Sequence, residues 1–289
     1  MSTRVSTSTT TPPAAPSLLT ASFRIFDLSL GEMLWSRRSV FLALVVGGPV
    51  LIALICQTVE FFNLPALRVN GVRVSGAVMF GGMIWAFYLR VIVPLLGVFY
   101  GTSLMADEVE DRTLTYLFTR PIPRGAVLIG KYLAYLACTG LIVLPSVMLV
   151  FFLVMPLGGG GLRAIARGFP DLLTDLGLLG LGLAVYGAVF AFIGAQLKRP
   201  LLLGLFFIVG WEIVVLSLPG YLKRFTVAYY LQSLVPHAMP QDNVVSALQS
   251  FFHESSSPAG SLLALAVILV VFLALAARAV ERREYVLEQ

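Results

Sequence analysis

A chain of 289 residues with 58% hydrophobic and only 12% charged residues, at a mean hydropathy of +0.91, is too apolar for a water-soluble domain, in which about a quarter of residues carry charge. That excludes a soluble enzyme. The net charge of +5 does not point to nucleic acid either, because the basic residues stand beside apolar runs instead of gathering on one surface.

Residues 1–20, mostly Ser, Thr, Pro and Ala, offer no apolar core for a secretory signal and read as a disordered tail. From 23 to 38, Phe23, Phe26, Leu30, Met33 and Leu34 share one helical face while Arg24, Asp27 and Glu32 lie away from it. This pattern predicts an amphipathic helix lying in the membrane interface, anchored by Trp35. Arg37 and Arg38 mark a cytoplasmic edge, and 40–56 is the first predicted span, followed by a polar outer segment with Glu60, Arg68, Asn70 and Arg73. The second span is predicted over 84–105, with Arg90 about one and a half turns from its outer end, close enough to snorkel to the headgroups. Cys56 and Cys138 lie inside apolar runs, where a thiol acts as a small hydrophobe, so no disulfide is expected.

Between the second and third spans runs the most polar helix-patterned stretch of the chain, Met105 to Lys131. It opens with Asp107, Glu108, Glu110 and Asp111, carries Leu114, Leu117 and Phe118 on one face, and stops at Pro121 and Pro123, ahead of Arg120's neighbours Arg124 and Lys131. Acidic at its start and basic at its end, it suits the helix dipole at both ends. Its position between spans and its apolar side favour a docking surface over a merely solvated helix end. Gly125 to Lys131 nearly spells a phosphate-binding loop, but Tyr132 replaces the Ser or Thr that would hold magnesium and a proline-broken turn stands where a strand is needed. It reads as a helix start.

The third span is predicted over 132–155, and Gly158 to Gly161 reads as a flexible outer connection. Asp171 and Asp175 lead into a fourth span, 176–197, with two small-residue rows: Gly180, Ala184 and Ala188, and Gly187, Ala191 and Ala195. Rows at a spacing of four let another helix approach closely, in the interior or at a dimer seam. Lys198-Arg199-Pro200 is a basic turn before a fifth span, 201–218, which holds Trp211 and Glu212. A carboxylate there is normally paired or wet: either it hydrogen-bonds a neighbouring helix, or it lines a path near an outer gate with Lys223 or Arg224 as partner. Beyond Pro219-Gly220 the aromatic residues Tyr221, Phe225, Tyr229 and Tyr230 suit the outer interface. His237 and His253 lack a second ligand at metal spacing, so no metal site is expected. The sixth span is predicted over 261–277, closed by Arg278, Arg282 and Arg283, with 284–289 as a cytoplasmic tail.

With both termini inside, Arg24, Arg37, Arg38, Arg112, Arg120, Arg124, Lys131, Lys198, Arg199, Arg278, Arg282 and Arg283 face the cytoplasm, against Arg68, Arg73, Arg163, Arg167, Lys223 and Arg224 outside. Twelve against six satisfies the positive-inside rule. It also puts the 105–131 stretch in the cytoplasm.

The acidic pair after an apolar span, Arg112-Thr113-Leu114, and Arg120-Pro121-Ile122-Pro123-Arg124 ahead of Gly130-Lys131 resemble the first cytoplasmic loop of bacterial ABC type 2 transporter permeases. The resemblance covers about Phe23 to Arg283 in element order, though its residue motif is confined to this loop. It implies an all-α polytopic membrane protein: six transmembrane helices in one permease domain (21–283), an N-terminal interfacial amphipathic helix, and a cytoplasmic coupling helix between spans two and three. It further implies a homodimeric exporter in the bacterial inner membrane, surrounded by lipid bilayer. A separate ABC ATPase subunit would bind ATP and Mg, while this chain itself binds no cofactor and no nucleic acid. The expected ATPase contact set is Asp107, Glu108, Glu110, Asp111, Arg112, Leu114, Leu117, Phe118, Arg120 and Arg124; Glu212, Trp211 and Tyr221 are the expected path or gate residues. The competing class is an intramembrane enzyme or assembly factor using Glu212 and an outer-loop histidine. No nucleophile, base and orienting group occur together at a recognisable spacing, which disfavours it.

Overall fold

Inside a bilayer every backbone N–H and C=O must be satisfied within its own segment, which makes the helix the solution for long apolar runs. A computed structural model of the chain describes residues 18–35, 37–62, 68–69, 72–104, 124–197, 199–217, 221–236 and 257–282. Helix α1 is Leu18–Leu34, α2 Arg37–Phe61, α3 Gly76–Leu104, α4 Arg124–Val154 and α5 Gly161–Gln196. Helix α6 combines Pro200–Phe206, a π-helical stretch Phe207–Ile213 and Val214–Ser217. After a 3-10 turn, Tyr221–Phe225, come the short α7, Val227–Ser233, and α8, Pro258–Arg282. Between α2 and α3, Arg68–Val69 pairs antiparallel with Val72–Arg73.

Among the described residues five helices are long and apolar enough to cross a membrane: α3, α5, and the stretches Leu42–Phe61 of α2, Val127–Val154 of α4 and Pro258–Val280 of α8. The predicted fifth span is a shorter apolar helix, Pro200–Glu212. Glu212 ends its apolar run, although helical backbone continues to Ser217.

The helices overrun the predicted spans because hydropathy registers only apolar residues, whereas backbone hydrogen bonding carries on through polar ends. α3 starts at Gly76, not 84, and α4 at Arg124, not 132. α5 starts at Gly161, so Asp175 is not a lead-in but lies within the helix, fully buried. Its 36 residues span about 54 Å, against a hydrocarbon core of about 30 Å. α1 starts at Leu18, inside the stretch expected to be a disordered tail. Sequence also misses the nature of the glycine connection. It is a tight 3-10 turn, Leu157–Gly159, in which Gly158 takes φ +74 and its N–H donates to both carboxylate oxygens of Glu60, at 3.0 and 3.1 Å. This ties the end of α2 to the α4–α5 turn.

α5 is the centre of the packing, with α3, α4 and α8 against it, while α1 and α2 lie on α4. The row that holds Gly187 meets a neighbour inside the chain. A Cβ on Gly187 would fall 2.2 Å from the Tyr135 ring, so the glycine makes room for that phenol, which donates to the Leu183 carbonyl at 2.8 Å. One turn away Tyr132 donates to the Ala184 carbonyl at 2.7 Å.

Candidate functional site

The site grows from a break in α6. From Phe207 to Ile213 the helix widens to i→i+5 bonding, the kind of irregularity that often marks function. Glu212 sits in this stretch, only 3% exposed. Three donors reach it from two other elements. The Tyr186 hydroxyl of α5 donates to Oε2 at 2.9 Å, the Val227 N–H to Oε1 at 3.1 Å and the Ala228 N–H to Oε2 at 3.2 Å.

The two amides explain why the carboxylate is there. A helix start leaves four N–H groups without intrahelical partners, and at α7 all four are accounted for. Thr226 N–H donates to the Lys223 carbonyl at 3.0 Å, Val227 and Ala228 donate to Glu212, and Tyr229 N–H donates to the Thr226 hydroxyl at 3.4 Å. Glu212 therefore caps α7 from a distance in sequence, as Thr226 caps it locally. The chain turns back after α6 and brings α7 to the level of Glu212, where two backbone amides and a phenol, in place of the suggested Lys223 or Arg224, hold the carboxylate.

Beside this junction lies a cavity of about 10 Å³, bounded by Arg90 and Pro94 of α3, Tyr186 of α5, Glu212 of α6 and Ala228 of α7, with Leu89 and Ile208 as apolar walls. Arg90 also belongs to a π-helical stretch, Ile84–Ile92. Its guanidinium carbon stands 5.5 Å from the centroid of the Trp85 ring, a cation–π contact. Nothing in the sequence hints at these π stretches or at Tyr186. The Thr226 cap, following Pro219-Gly220, is the one signal that a helix restarts there.

The other predicted site residues are placed unevenly. Trp211 is 39% exposed on α6, next to Glu212 but facing outward. Tyr221 opens the 3-10 turn. Arg124 begins α4. Asp107, Glu108, Glu110, Asp111, Arg112, Leu114, Leu117, Phe118 and Arg120 lie outside the described residues, as do His237 and His253. Residues 125–131 are helical throughout, and Gly130 lets α1 approach, a Cβ there falling 2.7 Å from the Ser22 carbonyl oxygen.

The family model described as ABC-2 family transporter protein matches residues 10–285. The chain belongs to the ABC-2 transporter family. A search of curated proteins finds no match. An ABC-2 chain is the membrane transport component and is not itself catalytic. Glu212 fits that view: both its oxygens accept from fixed donors, an arrangement that positions backbone and leaves little freedom for proton abstraction.

Proposed function

We propose that this ABC-2 chain is the permease subunit of an ATP-driven exporter in a bacterial cytoplasmic membrane, that two copies together form the path, and that a separate ABC ATPase subunit supplies the drive by binding ATP and Mg. The observation that carries this is the family match over 10–285, on a chain with five membrane-length apolar helices among its described residues. α6 is taken as the sixth crossing, both termini as cytoplasmic, and 21–283 as one permease domain. The residues from Asp107 to Arg124 form the docking surface for the ATPase, and Glu212, Trp211 and Tyr221 belong to the outer end of the path. Glu212's support of α7 favours this last assignment, because the buried carboxylate ties the start of α7 to α6 and α5 at one junction.

The test is copurification. Wild-type chain should bring down an ATPase whose turnover depends on it, and Leu117→Asp, which puts a charge on the apolar side of the docking surface, should insert normally while losing that partner. Full ATPase recovery and unchanged turnover with Leu117→Asp would remove the docking assignment.

A further inference from the structure

Arg90 is a charge within a membrane-length helix that the capping of α7 does not use. It is half-buried, it stacks its guanidinium near Trp85, and it borders the same small cavity as Glu212. A cation and a carboxylate facing one low-dielectric space attract far more strongly than the same pair in water, and each left alone in a span is costly. Pro94 forms part of the same wall. The cavity, about 10 Å³, is roughly the size that admits one water, and a buried water needs two to four polar partners of this kind.

We propose that Arg90 is the counter-charge of Glu212, joined to it through one water in the cavity between α3 and α6, and that this link fixes α3 against the α6–α7 unit. Arg90 is then a positioning residue: it does not touch the α7 amides, but it holds in place the carboxylate that does. α3 also packs directly on α7 through its Ile84–Ile92 stretch, and the solvated link adds a charge contact whose loss loosens the carboxylate's hold on the α7 amides. The pairing stands on the resting geometry alone and does not depend on the ATPase or the cargo.

Hydrogen exchange on the full-length chain in lipid nanodiscs tests it. Arg90→Gln should speed exchange at the Val227 and Ala228 amides by roughly tenfold while the amides of α8 keep their wild-type rates. Arg90→Lys, which keeps the charge, should retain most of the protection. Unchanged exchange in Arg90→Gln, or an equal loss in Arg90→Lys, overturns the proposal. If Arg90→Gln cannot be recovered folded, the double variant Arg90→Gln with Glu212→Gln is compared with Glu212→Gln alone: recovery of both supports charge compensation, and recovery of Glu212→Gln alone overturns it.

Discussion

Glu212 accepts from three donors through two oxygens, and that pattern governs what a substitution does. Glutamine keeps the shape but has one acceptor and one NH₂ group. Whichever way its amide is turned, the NH₂ faces a donor, so a buried N–H at the start of α7 loses its partner and meets another donor. The loss of a buried partner costs about 1–3 kcal/mol. Tyr186→Phe removes one donor but leaves both amides bonded, a net loss nearer 1 kcal/mol. Thermal unfolding of the purified chain should therefore rank wild type above Tyr186→Phe and Tyr186→Phe above Glu212→Gln. A Glu212→Gln melting temperature equal to wild type would mean that the carboxylate does not hold α7. The consequence for function studies is direct: Glu212→Gln is not a silent change of charge, and lost transport in that variant has to be read beside its stability.

The crossing of α3 and α5 shows the same dependence at the scale of whole elements. A Cβ on Gly194 would fall 2.4 Å from the Thr102 carbonyl oxygen, which is backbone and cannot swing aside, whereas one on Gly180 meets nothing within 4 Å. Gly194→Ala should push the two helices apart and destabilise by about 1–3 kcal/mol or more. Gly180→Ala, in a helix interior, should be neutral or gain up to about 1 kcal/mol from propensity. Equal melting temperatures for the two variants would refute the close crossing. From sequence the two rows at a spacing of four are legible, since small residues at that period have one obvious use in a membrane helix. The helices themselves are legible too, because uninterrupted apolar length has few alternatives. What lies beyond sequence is the junction at Glu212. Its amide donors come from a segment 15 residues further on that has folded back, and its phenol comes from another helix, so no local pattern contains them. The π stretches are equally silent, for they add one residue to a turn without altering its apolar character. Helix ends are misjudged for a related reason: hydropathy falls at the first charge, while hydrogen bonding runs on, as it does over the first 15 residues of α5 before 176.

For the whole molecule the deciding question is whether α6 takes the chain across the membrane. α5 and α8 run side by side in the same direction. Near the start of α8, the Ser261 hydroxyl meets that of Ser233 on α7 at 2.7 Å, and two residues back on α7 Leu231 packs at Gly182 of α5. Further along, Phe272 of α8 meets Phe192 of α5 at 5.7 Å. From Gly182 to Phe192 and from Ser261 to Phe272 the two helices therefore advance together, and parallel helices require the chain between them to return to the first side. α6 is the described helix available for that return, even though its apolar run stops at Glu212. The apolar run is short because the carboxylate is capped from within, so the helix needs no lipid-facing apolar side chain at that position. Single cysteines in a background lacking Cys56 and Cys138 make the count measurable. With six crossings, Leu162→Cys at the start of α5 and Ser257→Cys just before α8 should both react with an impermeant thiol reagent added outside intact cells, and Ser36→Cys, just before α2, should react only after permeabilisation. With five crossings the sides part: Ser257→Cys joins Ser36→Cys and becomes inaccessible from outside. Labelling of Leu162→Cys but not Ser257→Cys in intact cells would rule out α6 as a crossing helix and would require another route for the chain from α5 back to the start of α8.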